Sequence, residues 1–213
     1  MLSATVADSS FVSQMEASSI PDPLDANEVD FDLMVRIGAG DHAAFRILVE
    51  RHQNAVVGTV AKMLGNASDA DDISQQVFLR VWRNAKRYRP DAKFTTYLFT
   101  ITRNLVFNET RRKGRKKEVS ADERAEYSHQ LVAANPEKQP DAEILHAELQ
   151  SAVDRAIAAL PEAQRMAVIL RRYEQLSYEE IAVVLNLSVS AVKSLLFRAR
   201  TALRELLSGY LAE

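Results

Sequence analysis

The sequence predicts an all-α protein built from two small helical domains joined by a flexible linker. Three observations carry that expectation. Apolar residues recur at three- and four-residue spacing through most of the chain, and few segments alternate with period two. The 6 Gly and 6 Pro among 213 residues leave long stretches uninterrupted. With 47% hydrophobic residues the chain is able to bury the core of one or two compact domains.

Residues 1–27, rich in Ser, Ala and Asp with Pro21 and Pro23, show no amphipathic period and read as a flexible extension. Helical patterns then follow one another over Phe31–Ile37, Ala43–Leu64, Ser68–Ala85 and Phe94–Arg112, so residues 28–114 read as one domain. Gly38 and Gly40 separate the first pair, Gly65-Asn66 ends the second helix, and Pro90-Asp91 turns the chain before the last. Residues 115–140 are charged and polar, contain Pro136 and Pro140, lack a hydrophobic stripe, and read as the linker. In the second domain, residues 141–213, Asp141 caps a helix whose stripe is Leu145, Leu149, Val153, Ile157 and Leu160. Pro161 opens the next helix, which presents Met166, Ile169, Leu170 and Tyr173 to the core.

Leu176 to Leu207 has the build of a helix-turn-helix. Ser177 and Glu180 form a capping box with Leu176 in the staple position, which predicts a helix over Tyr178–Leu185. Asn186 suits a left-handed turn, and Ser188 caps a longer helix with the apolar stripe Val192, Leu195, Ala199, Leu203 and Leu206. The opposite face carries Ser190, Lys193, Ser194, Phe197, Arg198 and Thr201, polar and basic groups that suit a major groove. A solvated basic face is the bland alternative, but Phe197 there needs a partner, either a thymine methyl or sugar or a neighbouring helix.

A second basic segment lies upstream. The net charge of -2 hides a segregation: Arg103, Arg111, Arg112, Lys113, Arg115, Lys116 and Lys117 stand against the single acid Glu109 between Arg103 and Lys117. Counterion release depends on such local density, so the overall balance permits nucleic-acid binding. In the helix from Phe94 to Arg112, Leu98, Ile101 and Leu105 form a buried line, with Thr100, Arg103, Asn104, Phe107, Asn108 and Arg111 opposite. Two Asn one turn apart beside Arg suit exposed base edges and phosphates, and Tyr97 and Phe94 supply rings at the entry unless the core takes them. In Ser68–Ala85, Asp69, Asp71 and Asp72 sit where the helix dipole favours acids. Val77, Phe78 and Val81 face the core, and Gln75, Gln76, Leu79 and Trp82 fall on another side, a partner surface or further packing.

The absence of Cys removes disulfides and thiolate metal sites, and no metal-ligand spacing or Gly-rich phosphate loop is present, so no metal or cofactor is expected. His42, His52, His129 and His146 are scattered without an acid–base constellation, which argues against an enzyme. No apolar run approaches the roughly 18 residues of a membrane span. The first 35 residues carry no Lys or Arg, unlike the basic start of a secretory signal. A cytoplasmic protein without membrane insertion is expected.

The ordered motifs resemble the extracytoplasmic function (ECF) type of bacterial sigma factor, two-domain members of the sigma-70 family, over about Asp32 to Leu207. The resemblance is carried by Gly40-Asp41 with Ala44-Phe45, DADDISQQVFLRVW from Asp69 and FTTYLFTITRN from Phe94. In the second domain Leu160-Pro161, Arg165, Leu170-Arg171, LSYEEIA and SAVKSLLFRAR carry it. It implies a non-enzymatic transcription initiation subunit that binds core RNA polymerase at its clamp coiled coil and flap. It implies that Asp72, Gln75, Gln76, Phe78 and Trp82 dock on the clamp. Lys93, Phe94, Tyr97, Arg103, Asn104, Asn108, Arg111 and Arg112 would capture the unpaired −10 strand, and Ser190, Lys193, Ser194, Phe197 and Arg198 would read the −35 element. It further implies promoter DNA and an anti-sigma protein as partners, and a linker running toward the RNA exit path. Gln175 and Asn186 stand where the family often has Gly, and Tyr97 where Trp is frequent. Gln in a left-handed turn costs about 1 kcal/mol. The competing reading is a stand-alone helix-turn-helix regulator that binds duplex operators as a dimer, which needs neither the Asn-bearing basic helix nor the DADDISQQVF segment.

Overall fold

The computed structural model describes residues 23–119 and 141–211, and among these every regular element is helical. The order is α1 (Pro23–Gly38), α2 (His42–Leu64), α3 (Ala67–Asn84), a single 3-10 turn (Ala85–Arg87) and α4 (Phe94–Val119). After the linker come α5 (Asp141–Ala159), α6 (Glu162–Arg172), α7 (Tyr178–Leu185), α8 (Val189–Leu206) and the short α9 (Ser208–Leu211).

Local chemistry sets the boundaries. The Asp41 carboxylate accepts the Ala43 and Ala44 N–H groups at 2.8 and 3.0 Å, which caps α2, and Arg36 holds it from behind at 2.8 Å. Gly65 ends α2 at φ 69, a left-handed conformation that glycine adopts without a Cβ clash. Asn66 then accepts the Ser68 N–H at 2.9 Å and starts α3.

Two boundaries differ from the sequence reading. α1 begins at Pro23, inside the segment read as an extension, where Arg51 of α2 reaches the Ala26 carbonyl and the Phe94 N–H of α4 donates to Asn27; residues 1–22 lie outside the described residues. α4 runs past Gly114 to Val119, since one helical glycine costs only about 1 kcal/mol. The remainder of the linker, residues 120–140, lies outside the described residues, as does the Leu145 side chain.

The first core joins Leu33, Met34 and Ile37 of α1 to Leu48, Val56 and Val60 of α2, Val77 and Val81 of α3, and Phe94 and Leu98 of α4. It is continuous with a second core made by Met166, Ile169 and Leu170 of α6, Ile181 and Val184 of α7, and Val192 and Leu196 of α8. Some stripe positions shift. α5 buries Ala152, Ala156 and Ile157 and leaves Leu149 exposed. α8 buries Val192, Leu196 and Ala199, leaves Leu195 half-buried and exposes Leu206. The ring of Tyr173 lies at the surface, where Lys62 sits 4.6 Å from its centroid.

The two helical units also touch through polar contacts. Arg165 donates to the carbonyls of Met63 at 2.8 Å and Leu160 at 3.0 Å, and to that of Ala158. The Met63 and Ala158 carbonyls belong to the last turns of α2 and α5, where carbonyls lack helical donors, and that of Leu160 lies just beyond α5. The Thr59 hydroxyl donates to Glu174 at 3.0 Å, Arg103 donates to the Val184 carbonyl at 2.9 Å, and Lys93 pairs with Glu180 at 3.1 Å.

Candidate nucleic-acid interface

The helix-turn-helix forms through the local signals in its sequence. The Glu180 N–H donates to Ser177 Oγ at 3.1 Å and the Ser177 N–H donates to Glu180 Oε2 at 2.6 Å, a reciprocal capping box. Asn186 takes φ 56 and ψ 52 and closes α7, and Ser188 accepts the Ala191 N–H at 3.2 Å to open α8. The two helices meet at 98°, within the range of DNA-binding helix-turn-helices. Gln175 also adopts φ 56, so the turn before α7 keeps the left-handed form without a glycine.

On α8, Ser190, Lys193, Ser194, Phe197 and Arg198 all face solvent, and Phe197 is 65% exposed. Lys193, Ser194, Phe197 and Arg198 line one open groove together with Tyr178 and Arg200. Arg200 falls on the same helical face and was within reach of the periodicity argument; Tyr178 comes from α7, which spacing within one helix does not connect to it. Arg171 packs 5.2 Å from the Tyr178 ring and donates to the Leu176 carbonyl at 2.8 Å, bringing a further cation beside this groove.

The face of α4 is mixed. Asn104, Asn108, Arg111 and Arg112 are exposed, and Asn108 and Arg111 line a groove with Gly114 and Arg115. Arg112 is bidentate to Glu109 at 2.7 and 2.8 Å, and Lys113 pairs with Asp69 at the start of α3, so these two cations are already partly neutralised. Arg103 lies 5.7 Å from the Phe107 ring and is half-buried against α7, and its burial lowers its pKa from the usual guanidinium value. Tyr97 is half-buried beside Tyr88 at 5.1 Å, and desolvation pushes its phenol up. Phe94 is fully buried among His52, Tyr88 and Tyr97, so the core takes its ring. The Lys93 ammonium faces Glu180; burial would raise that carboxyl, but the Ser177 N–H and Lys93 outweigh it and hold it below the usual range.

On α3 the outward line is Asp72, Gln75, Gln76 and Leu79, while Phe78 is buried. Trp82 is half-buried, stacked on His42 at 4.7 Å and edge-on to Phe45 at 5.1 Å. These contacts leave α3 a polar surface with apolar side chains at its margin. Among the described residues no group of three or more His, Asp or Glu is placed to hold a metal ion. No single described helix is long and apolar enough to cross a membrane.

Comparison with known proteins matches both helical units. Residues 48–116 match the family model for sigma-70 region 2, and residues 150–203 match that for sigma-70, region 4. The RNA polymerase sigma-H factor of Pseudomonas aeruginosa is 34% identical over 189 residues, covering 87% of this chain and 97% of its own. The ECF RNA polymerase sigma-E factor of Escherichia coli K12 is 36% identical over 174 residues, covering 80% of this chain and 90% of its own. The solved structure of CnrH in complex with the cytosolic domain of CnrY aligns with a TM-score of 0.61 at 25% identity, over 85% of this chain and 98% of that one. The sigma factor RpoE, co-crystallised with the anti-sigma factor NepR from Bartonella quintana, shares the fold with a TM-score of 0.62 at 24% identity, over 77% and 96% of the two chains. With both helical units matched and relatives of this identity spanning most of its length, the chain belongs to the sigma-70 family as an ECF-type sigma factor, a transcription initiation factor that binds core RNA polymerase and directs it to promoters.

Proposed function

We propose that the work of initiation is divided among three helix faces. Asn104 and Asn108 on α4, with Arg111, Arg112 and the neighbouring Lys93, Tyr97 and Arg103, take the unpaired −10 strand: amides hydrogen-bond exposed base edges and guanidinium groups meet phosphates. Ser190, Lys193, Ser194, Phe197 and Arg198 on α8 read the −35 duplex in its major groove. Asp72, Gln75 and Gln76 on α3, with Trp82 and the buried support of Phe78, dock on the clamp coiled coil. The observation that carries this division is that the paired amides and the right-angled helix-turn-helix present separate exposed faces on different helices. A duplex-only regulator has no use for the first.

In this reading the helices from Pro23 to Val119 form the strand-capture and clamp-docking domain, and those from Asp141 onward the −35 and flap-docking domain. The factor works in the cytoplasm, does no chemistry of its own and is held by an anti-sigma protein until a signal arrives.

The test is competition with a housekeeping sigma factor for core polymerase, beside permanganate footprinting at a cognate start site. Asn104→Ala with Asn108→Ala leaves competition unchanged and lowers melting by roughly tenfold or more, each lost base contact being worth about 1–3 kcal/mol. Unchanged permanganate reactivity in that variant removes the strand-capture role from α4.

A further inference from the structure

We propose that Asn27 is a positioning residue for promoter melting, capping α4 from outside and so fixing the strand-capture face; this rests on the reading of α4 given above. The helix needs such a partner. α4 begins at Phe94, and the residue before it is Lys93, whose ammonium has donors but no acceptor and is unable to cap the first-turn N–H groups. The Phe94 N–H instead donates to the Asn27 side-chain carbonyl at 3.0 Å, a partly buried bond that spans 67 positions in sequence.

Asn27 is itself held from below. One turn further along α1, Asp30 is only 3% exposed and accepts from Arg51 Nε and meets His52 Nε2, both at 2.9 Å. Arg51 also reaches the Ala26 carbonyl at 3.4 Å, and the His52 ring lies 5.1 Å from that of Phe94. α2 thus grips α1, and α1 grips the first residue of α4. Leu33, Met34 and Ile37 anchor the remainder of α1 in the core.

The lever arm gives this contact its consequence. Asn104 lies ten residues beyond Phe94, about 15 Å along a stiff helix, so a tilt of about 5° at the capped end moves it by about 1.3 Å. Binding groups tolerate only about 0.5 Å of misplacement before contacts loosen. An acceptor lost at residue 27 therefore reaches the strand-capture amides without touching DNA, polymerase or α8.

The experiment compares full-length Asn27→Ala, Asn27→Asp and the Asn104→Ala, Asn108→Ala double variant, each with core polymerase on a cognate promoter. Three quantities are read: competition for polymerase, the upstream footprint, and permanganate reactivity at the start site. Asn27→Ala is expected to lower the melted fraction by about fivefold, the scale of one helix cap, with polymerase competition and the upstream footprint unchanged. Asn27→Asp, which keeps an acceptor at the same reach, is expected to restore melting. The proposal is overturned if Asn27→Ala melts promoters like the parent, if it loses polymerase binding and melting in equal measure, or if Asn27→Asp is as defective as Ala. Should the double variant melt normally, the reading of α4 fails and takes the proposal with it; should only the double variant be defective, the positioning role alone fails.

Discussion

Phe197 and Phe94 are the same residue type in opposite circumstances, 65% exposed on α8 and fully buried at the start of α4. Phe197→Ala is expected to change stability by less than about 0.5 kcal/mol, as for ordinary surface positions. Phe94→Ala opens a cavity and is expected to cost about 3–5 kcal/mol. Thermal denaturation separates the two. Combined with Arg198→Ala, the Phe197 change is also expected to weaken upstream-element footprints, because both side chains line the groove with Lys193 and Ser194. A footprint and sequence preference unaltered by that pair of changes would mean that another face of α8 meets the DNA. Spacing placed Phe197 on the polar face of its helix but left Phe94 open between the core and a ring at the entry of α4. Burial at Phe94 is completed by His52 of α2, forty-two positions away, beside the nearer rings of Tyr88 and Tyr97.

The helix-turn-helix was legible almost residue by residue, since capping boxes, left-handed turns and N-caps involve groups within four positions of each other. Its turn also makes the cleanest element-level prediction. Asn186 sits at φ 56, where a Cβ without a compensating amide costs about 1–2 kcal/mol. Asn186→Val is therefore expected to lower the melting temperature of the chain, and Asn186→Gly to leave it nearly unchanged; equal melting temperatures for both would show that the turn relaxes. The same argument identifies Gln175, also at φ 56, as a strained position that the structure tolerates between the Glu174–Thr59 contact and the Leu176 N–H, which donates to the Leu170 carbonyl at 3.1 Å. α4 was less legible at its end, because one Gly and a basic run read as a linker while the helix continues to Val119.

Across the whole molecule the two helical units are latched by Lys93–Glu180, Arg103–Val184, Thr59–Glu174 and Arg165–Met63. The second of these and the first occupy basic groups of the strand-capture side, so separation of the units frees them. Burial at the latch raises the Glu174 carboxyl above its ordinary value, more than the Thr59 hydroxyl and Lys62 lower it. The latched form therefore binds a proton more readily than the separated one. Latching is favoured as pH falls through the raised folded value and weakens above it. Energy transfer between labels on α3 and α8 is expected to rise as pH drops from neutrality toward the carboxylate range, and Glu174→Gln is expected to flatten that response. A response of equal size in the Gln variant would assign it to another group. The sequence by itself determined the helical class, the element order, the caps and turns, and the separate basic faces, because these follow from periodicity and from hydrogen bonds between near neighbours. Tertiary structure alone decided that Asn27 ends in the first turn of α4, that Phe94 belongs to the core, that Tyr178 joins the groove of α8 and that α7 covers Arg103. Each of those depends on contacts between residues far apart in the chain, where packing and desolvation, not spacing, select the partner.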